Sequence, residues 1–210
     1  IDEITYEEML EMSSSGAGVL MARSVEFGRR YNVPIIVKST FTNNKGTVVK
    51  EKTMEEAIVS GVTHNDKEVK FTLFGVPDQP GIAGTVFGSL SEIGINVDMI
   101  VQNVSKESIT DISFTAPSEQ QKDVEDALKN ISKQLDAKGY DVDENIARIS
   151  IIGAGMKSES GVASKMFKTL GDNKINISMI STSPIRVSCV ISSNDIEKAL
   201  NVLHEEFITN

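Results

Sequence analysis

The chain of 210 residues carries 30 acidic against 21 basic side chains, a formal net charge of -9 and a hydrophobic share of 40%. This composition fits a soluble globular protein of one large or two small domains and argues against nucleic acid as a partner. No apolar run reaches membrane-spanning length, nothing resembles a signal peptide, and the single cysteine, Cys189 in IRVSCVI, reads as a buried reduced side chain, so no membrane is expected and a cytoplasmic location is.

The two histidines, His64 and His204, have no cysteine close in sequence, so no metal site is expected. The first residue is Ile1 rather than Met, so an upstream segment is expected to be missing or processed. Thr5 to Glu8 fits a capping box, followed by Tyr6, Met9 and Leu10 as one apolar side of a helix. SSSGAG interrupts, VLMARSVEFGRRY resumes helical spacing through Leu20, Ser24 and Phe27, and VPIIVKSTF reads as a strand before TNNKG turns toward Thr47-Val48-Val49. Residues 1–50 are too few for a domain and read as the tail of one. Thr53 to Glu56 fits a second capping box, and residues 58–64, in AIVSGVTH, read as a strand with no neighbour in sequence to pair with.

Residues 69–116 organise the rest: VKFTLFGV as a strand, PDQPGIAGTVFGSLSEIG as a turn and helix, then strands 95–104 and 109–116. Pro80 suits a first helical position, and Gly81 leaves the helix start open to a close visitor whose carboxylate its backbone N–H groups would attract. Ile82, Val86, Leu90 and Ile93 form the apolar face of that helix. Ser118 to Gln121 fits a third capping box, Val124, Leu128, Ile131 and Leu135 line a long helix, and residues 140–142 add a short edge strand.

From Ile146 the plan repeats: ARISIIGAG parallels VKFTLFGV, and Phe167, Leu170, Asn176 and Met179 each stand eighty positions after Phe87, Leu90, Asn96 and Met99. SPI makes a tighter turn in the second copy. Amphipathic helices that all follow a small sheet cover one side of it, giving a two-layer split βαβ arrangement of class α+β. The second copy ends in a helix through Ile196, Leu200, Leu203 and Phe207 with no residues left for a last strand. Residues 58–64 are expected to serve, leaving the first copy inserted in the second.

A site for a free α-amino acid needs backbone donors for its carboxylate and an acceptor for its ammonium. The N–H groups near Gly81 to Ala83 offer the first and Asp78 the second, against the plainer reading of Asp78 as a helix cap. Gln102 can donate and accept together, or simply stand exposed on its strand. Asn96 and Asn176 begin equivalent strands, which fits a shared turn geometry or a shared site. Ser181, Thr182 and Ser183 supply hydroxyls for a polar pocket or for an ordinary turn. Met99, Met156, Met166 and Met179 read as apolar packing, and Arg23, Arg29 and Arg30 as solvated charges or a meeting point for an acidic substrate. No phosphate-cradling GxxxxGK[ST] occurs, GAG at residues 153–155 is too weak for a dinucleotide site, and no catalytic residue is visible.

GVPDQPGIAG, INVDMIVQNVS, TDISFTAP, GAGMKSESGVASKMF, INISMISTSPIRVS and NDIEKAL, in that order, closely resemble the paired ACT domains of aspartate kinase. TYEEMLEMSSSGAGVLMARSVEFGRRYNVPIIVKSTF resembles the end of that enzyme's amino-acid-kinase domain. The resemblance implies a remnant of the kinase domain over residues 1–50, a first ferredoxin-like βαββαβ ACT domain over 69–143, and a second built from 58–64 plus 146–210. It implies feedback control, by lysine and/or threonine, of the ATP-dependent phosphorylation of L-aspartate. The effector pocket carried over is Asp78, Gly81, Ile82, Ala83 and Gln102 with Asn176 and Ile177, beside Ser181 and Thr182. Many relatives carry glutamate after STS, where this chain has Pro184, and some have His-Pro where it has Met21-Ala22. The phosphate-binding start of the kinase is absent, so the stretch is expected to be a C-terminal piece or a separately made regulatory subunit. It is expected to need no cofactor, with ATP and Mg belonging to the complete kinase. An ACT-ACT homodimer, and the catalytic subunit of the same kinase, are the implied partners. A ligand-independent dimerisation module is the competing reading.

Overall fold

A computed structural model describes residues 1–52, 57–104 and 108–209, and the capping box read at Thr53 to Glu56 lies outside them. The chain divides into two compact units, residues 1–65 with 148–210, and residues 66–147. The first begins with β1 (Glu3–Thr5), α1 (Tyr6–Ser14), α2 (Ala22–Tyr31), β2 (Ile35–Val37) and β3 (Thr47–Lys50), followed by β4 (Gly61–Asn65). The capping box at the start of α1 forms as read, with the Thr5 hydroxyl accepting from the Glu8 N–H and the Glu8 carboxylate accepting from the Thr5 N–H. The face expected of α2 is rotated: Val25 and Gly28 are buried, whereas Phe27 is exposed and stacks on Tyr31.

The second unit holds β5 (Glu68–Pro77), α3 (Ile82–Glu92), β6 (Ile100–Val104), β7 (Ile109–Pro117), α4 (Gln121–Gln134) and β8 (Gly139–Asp143). Its sheet runs β6-β7-β5-β8, antiparallel throughout, which is the ferredoxin-like order. Val86 and Leu90 of α3 and Val124, Leu128 and Ile131 of α4 close one face over Phe71, Leu73, Ile112 and Phe114. The rings of Phe71, Phe87 and Phe114 meet at 5.4 and 5.6 Å between centroids, one pair stacked and the other edge-on.

Several local expectations give way here. Ile93 caps the end of α3 and is exposed rather than closing its apolar face. The strand expected from residue 95 begins at Ile100. Residues 95–99 instead tuck Ile95 and Met99 into the core while the Ile95 N–H donates to the Leu90 carbonyl and the Asp98 N–H to that of Thr115. Ser118 caps nothing: the chain enters α4 through a 3-10 turn, and the Gln121 amide donates to the carboxylates of Glu125 and Glu144.

The second copy is β9 (Ile146–Ile152), α5 (Val162–Asp172), β10 (Met179–Ser183), β11 (Arg186–Ser192) and α6 (Ile196–His204), which runs into a π-helical stretch over Glu205–Thr209. Its sheet runs β10-β11-β9-β4, so the fourth place, held by β8 in the first copy, is filled by β4 from before the insertion. β4 starts at Gly61 rather than Ile58. Val59 instead enters the core, and the Ser60 N–H donates to the Ile152 carbonyl. Pro184 and Ile185 make the two-residue turn between β10 and β11, as the short SPI segment predicts. Cys189 is fully buried, and burial pushes its thiol up to about 12. Met99, Met166 and Met179 are buried and Met156 packs on the second core, as expected of apolar filler.

Candidate ligand-binding site

The two copies share one device at the start of their first helix. Gly81 is the N-cap of α3 with φ 96°, and Gly161, eighty positions on, is the N-cap of α5 with φ 91°. Both lie in the left-handed region, which a side chain enters only with strain, and a Cβ at either would meet nothing within 4 Å. Backbone conformation, rather than crowding, therefore sets glycine here. Pro80 is not at the first helical position as expected; it precedes the N-cap, because Gly81 already supplies the turn into the helix.

Neither helix start has a side-chain cap. Asp78 therefore does not cap α3; its backbone N–H is held by the Ser108 carbonyl at 2.9 Å. The Ile82 N–H is taken by the Gln79 carbonyl at 3.3 Å, which leaves the next groups, at Ala83 and Gly84, as the helix's outward donors. Ile82 and Ala83 are half-buried, with Ile82 packed on the first core. Gln102 stands on the edge strand β6 opposite Ile112, so it lies on the helix-covered face of the sheet while remaining exposed. One strand separates it from β5, or about 10 Å by strand spacing. Gln102 thus belongs to the first sheet, Asp78 and Gly81 to the loop that leaves it, and Ile82 and Ala83 to the first turn of α3.

In the other unit Asn176 is exposed and Ile177 packs on the second core, both ahead of β10. Ser181 pairs with Ser188 and Thr182 with Val187, which sends these two side chains to opposite faces of the sheet. One pocket therefore cannot receive both. Thr182 shares the face of the core residue Val187, and Ser181 shares that of the buried Ser150–Ser188 hydroxyl pair.

Gly161 was not singled out in the sequence, although GVA at residues 161–163 repeats GIA at 81–83. It lies in a cleft of about 300 Å³ with Glu159, Ser160, Val162 and Lys165 on one side and Val59 and Phe207 on the other. The Lys165 ammonium pairs with Glu206 at 2.7 Å and lies 5.2 Å from the Phe207 ring centre. Arg29 is held by Glu7 at 3.6 Å, whereas Arg23 and Arg30 lie over the Phe27 and Tyr31 rings.

The ACT domain family profile matches residues 70–136 and again residues 149–207. A crystal structure of the regulatory subunit of aspartate kinase from Thermus thermophilus, in ligand-free form, is 36% identical. It superposes with a TM-score of 0.68 over 71% of this chain and 99% of that one. The chain belongs to the aspartate kinase family, as its paired ACT-domain regulatory region. A structure of aspartokinase alpha and beta subunits gives 39% identity and a TM-score of 0.67 over 71% of this regulatory region and 98% of that chain. The aspartate kinase of Pseudomonas fluorescens strain SBW25 is 46% identical over 99% of the region and 51% of its own length. The chain thus spans about half the length of the curated aspartate kinases it matches. No helix among the described residues is long and apolar enough to cross a membrane.

Proposed function

We propose that this regulatory region senses lysine and/or threonine and passes their binding to an aspartate kinase as feedback inhibition of L-aspartate phosphorylation. The region itself performs no phosphotransfer and needs no cofactor; ATP and Mg serve the catalytic part of the kinase. The observation that carries this reading is the repeated left-handed glycine before an uncapped helix, at Gly81 and Gly161. An amino acid's carboxylate completes such a helix start by accepting from the Ala83 and Gly84 N–H groups, and Asp78, released from any capping duty, receives its ammonium. Gln102 is the remaining candidate for reading the ligand's side chain at the Gly81 helix start; at the Gly161 helix start the candidates are Asn176 and Ile177 with either Ser181 or Thr182. Inhibition requires the effector to bind the low-activity arrangement more tightly than the active one, since equal affinity shifts nothing.

Isothermal titration with lysine and threonine, singly and together, tests the reading. Saturable heat from the folded chain is expected, and Asp78→Ala is expected to weaken it at least about tenfold by removing a charge-assisted hydrogen bond, with little change in thermal stability. Silence from folded protein with both amino acids overturns it. A second reading, assembly without ligand, draws on Ile100 and Ile180. They stand at equivalent positions on the edge strands β6 and β10 and are each close to half exposed. Sedimentation of a dimer that is indifferent to both amino acids, together with titration silence, favours it. Association with a second copy and with a catalytic subunit belongs to either reading.

A further inference from the structure

Helix α1 turns three carboxylates toward the second ACT domain. Glu8 is only 3% exposed although it stands in the helix's first turn. A capping box needs one of its oxygens: Oε2 accepts from the Thr5 N–H at 3.0 Å and from the Thr5 hydroxyl at 2.7 Å. The other is used outside the helix. Oε1 accepts from the Ser60 hydroxyl, just before β4, and from the Ala154 N–H at 2.9 Å, in the 3-10 turn that follows β9. Burial pushes the Glu8 carboxyl up, but hydrogen bonds from Ser60, the Ala154 N–H and Thr5 outweigh it and hold the group below its ordinary value.

The flanking acids reach the same 3-10 turn and, beyond it, the β10–β11 hairpin. Glu7 pairs with Lys157 at 3.1 Å, at the end of that 3-10 turn, and Glu11 with Arg186 at 3.2 Å, directly after the hairpin turn at Pro184 and Ile185. Beneath them the backbone is close-packed: a Cβ on Gly153 would run into the Ile58 carbonyl oxygen. By contrast, Glu7, Glu11, Lys157 and the 183–185 turn border a cleft of about 460 Å³. The Glu7–Lys157 pair is about half exposed, whereas Glu8 is buried with both oxygens engaged by partners on either side of the contact.

We propose that Glu8 is the coupling residue between α1 and the second ACT domain. It locks the helix to the 3-10 turn at residues 154–157, so that a displacement of that turn, or of the adjoining hairpin turn, carries α1 with it. The lock stands on its own geometry and rests on the regulatory reading only for the agent that displaces those turns.

Native-state hydrogen exchange on the 210-residue chain tests it in wild type, Glu8→Gln, the milder Ser60→Ala and, as an outer-pair control, Lys157→Ala. Glu8→Gln is expected to speed exchange at least tenfold in residues 6–14 and 154–157 together, while β9 and β11 and the whole of residues 66–147 keep wild-type protection. Ser60→Ala is expected to move the same segments less, which keeps the test open if Glu8→Gln fails to fold, and Lys157→Ala is expected to move them less than threefold. Unchanged α1 exchange in both Glu8→Gln and Ser60→Ala overturns the proposal, as does a uniform rise across all strands, which marks a general folding role. In the ligand arm, saturating lysine or threonine is expected to change exchange at residues 154–157 and in α1 together in wild type. A response confined to the ACT segments overturns the coupling and leaves amino-acid sensing intact. No response anywhere overturns amino-acid sensing, and the lock is then decided by the variants alone.

Discussion

Gly81 and Gly161 show how one residue type marks a position through backbone geometry. A Cβ has space at both, so Gly81→Ala and Gly161→Ala are expected to destabilise only through the cost of a left-handed backbone, about 1 to 2 kcal/mol each. A lower urea midpoint with an unchanged m-value checks this. Cys189 makes the opposite case, a residue defined by its surroundings. With its thiol at about 12 and no exposure, it is expected to resist thiol reagents at pH 8 until the chain unfolds, so labelling should track denaturation rather than reagent concentration. Burial of Cys189 was legible from the apolar run around it. The use of Glu8 was not: a capping-box glutamate normally looks local, and the donors at Ser60 and Ala154 become its neighbours only once the chain has folded.

Among elements, helices were read more accurately than their ends. Val86, Leu90, Val124, Leu128 and Ile131 are buried as their 3.6-residue spacing predicts, because packing of an apolar stripe decides helix existence. Termini depend on single hydrogen bonds and local turns: the Ser118 N–H goes to the Lys67 carbonyl, and the left-handed Gly81 rather than Pro80 sets the start of α3. Likewise the alternation that separates Ser181 from Thr182 follows from their register with Ser188 and Val187, which a run of three hydroxyl residues does not reveal. For α1 the consequence is a dependence on acid. Because the folded state holds the Glu8 carboxyl below its ordinary value of 4.5, its stabilising contribution is complete above that value and is lost as pH falls through the lower folded one. Hydrogen-exchange protection of residues 6–14 is therefore expected to decline below about pH 4.5 relative to that of β9, and Glu8→Gln should remove most of this difference.

At the scale of the molecule, the eighty-residue repeat carried the fold. It predicted two equivalent sheets, and the lack of a fourth strand after the last helix pointed back to the stretch before the first copy. The pairing of β4 with β9, Gly61 opposite Ile152 through Asn65 opposite Arg148, closes that gap. Residues 66–147 contain all four strands of their own sheet, whereas a fragment of residues 146–210 lacks β4. The first fragment is expected to fold alone with a cooperative urea transition, and the second to fail unless a peptide spanning residues 57–65 is supplied; circular dichroism distinguishes the outcomes.

The placement of β4 also bears on synthesis. It leaves the ribosome before its partner exists, and about eighty residues must follow before β9 emerges. At roughly 5 to 20 residues per second that is several seconds, ample for the intervening sheet to form first. A nascent chain stalled once β8 but not β9 has cleared the ribosome should therefore hold one finished domain and an unmatched strand edge, and slowing translation across that interval should lengthen its exposure to chaperones.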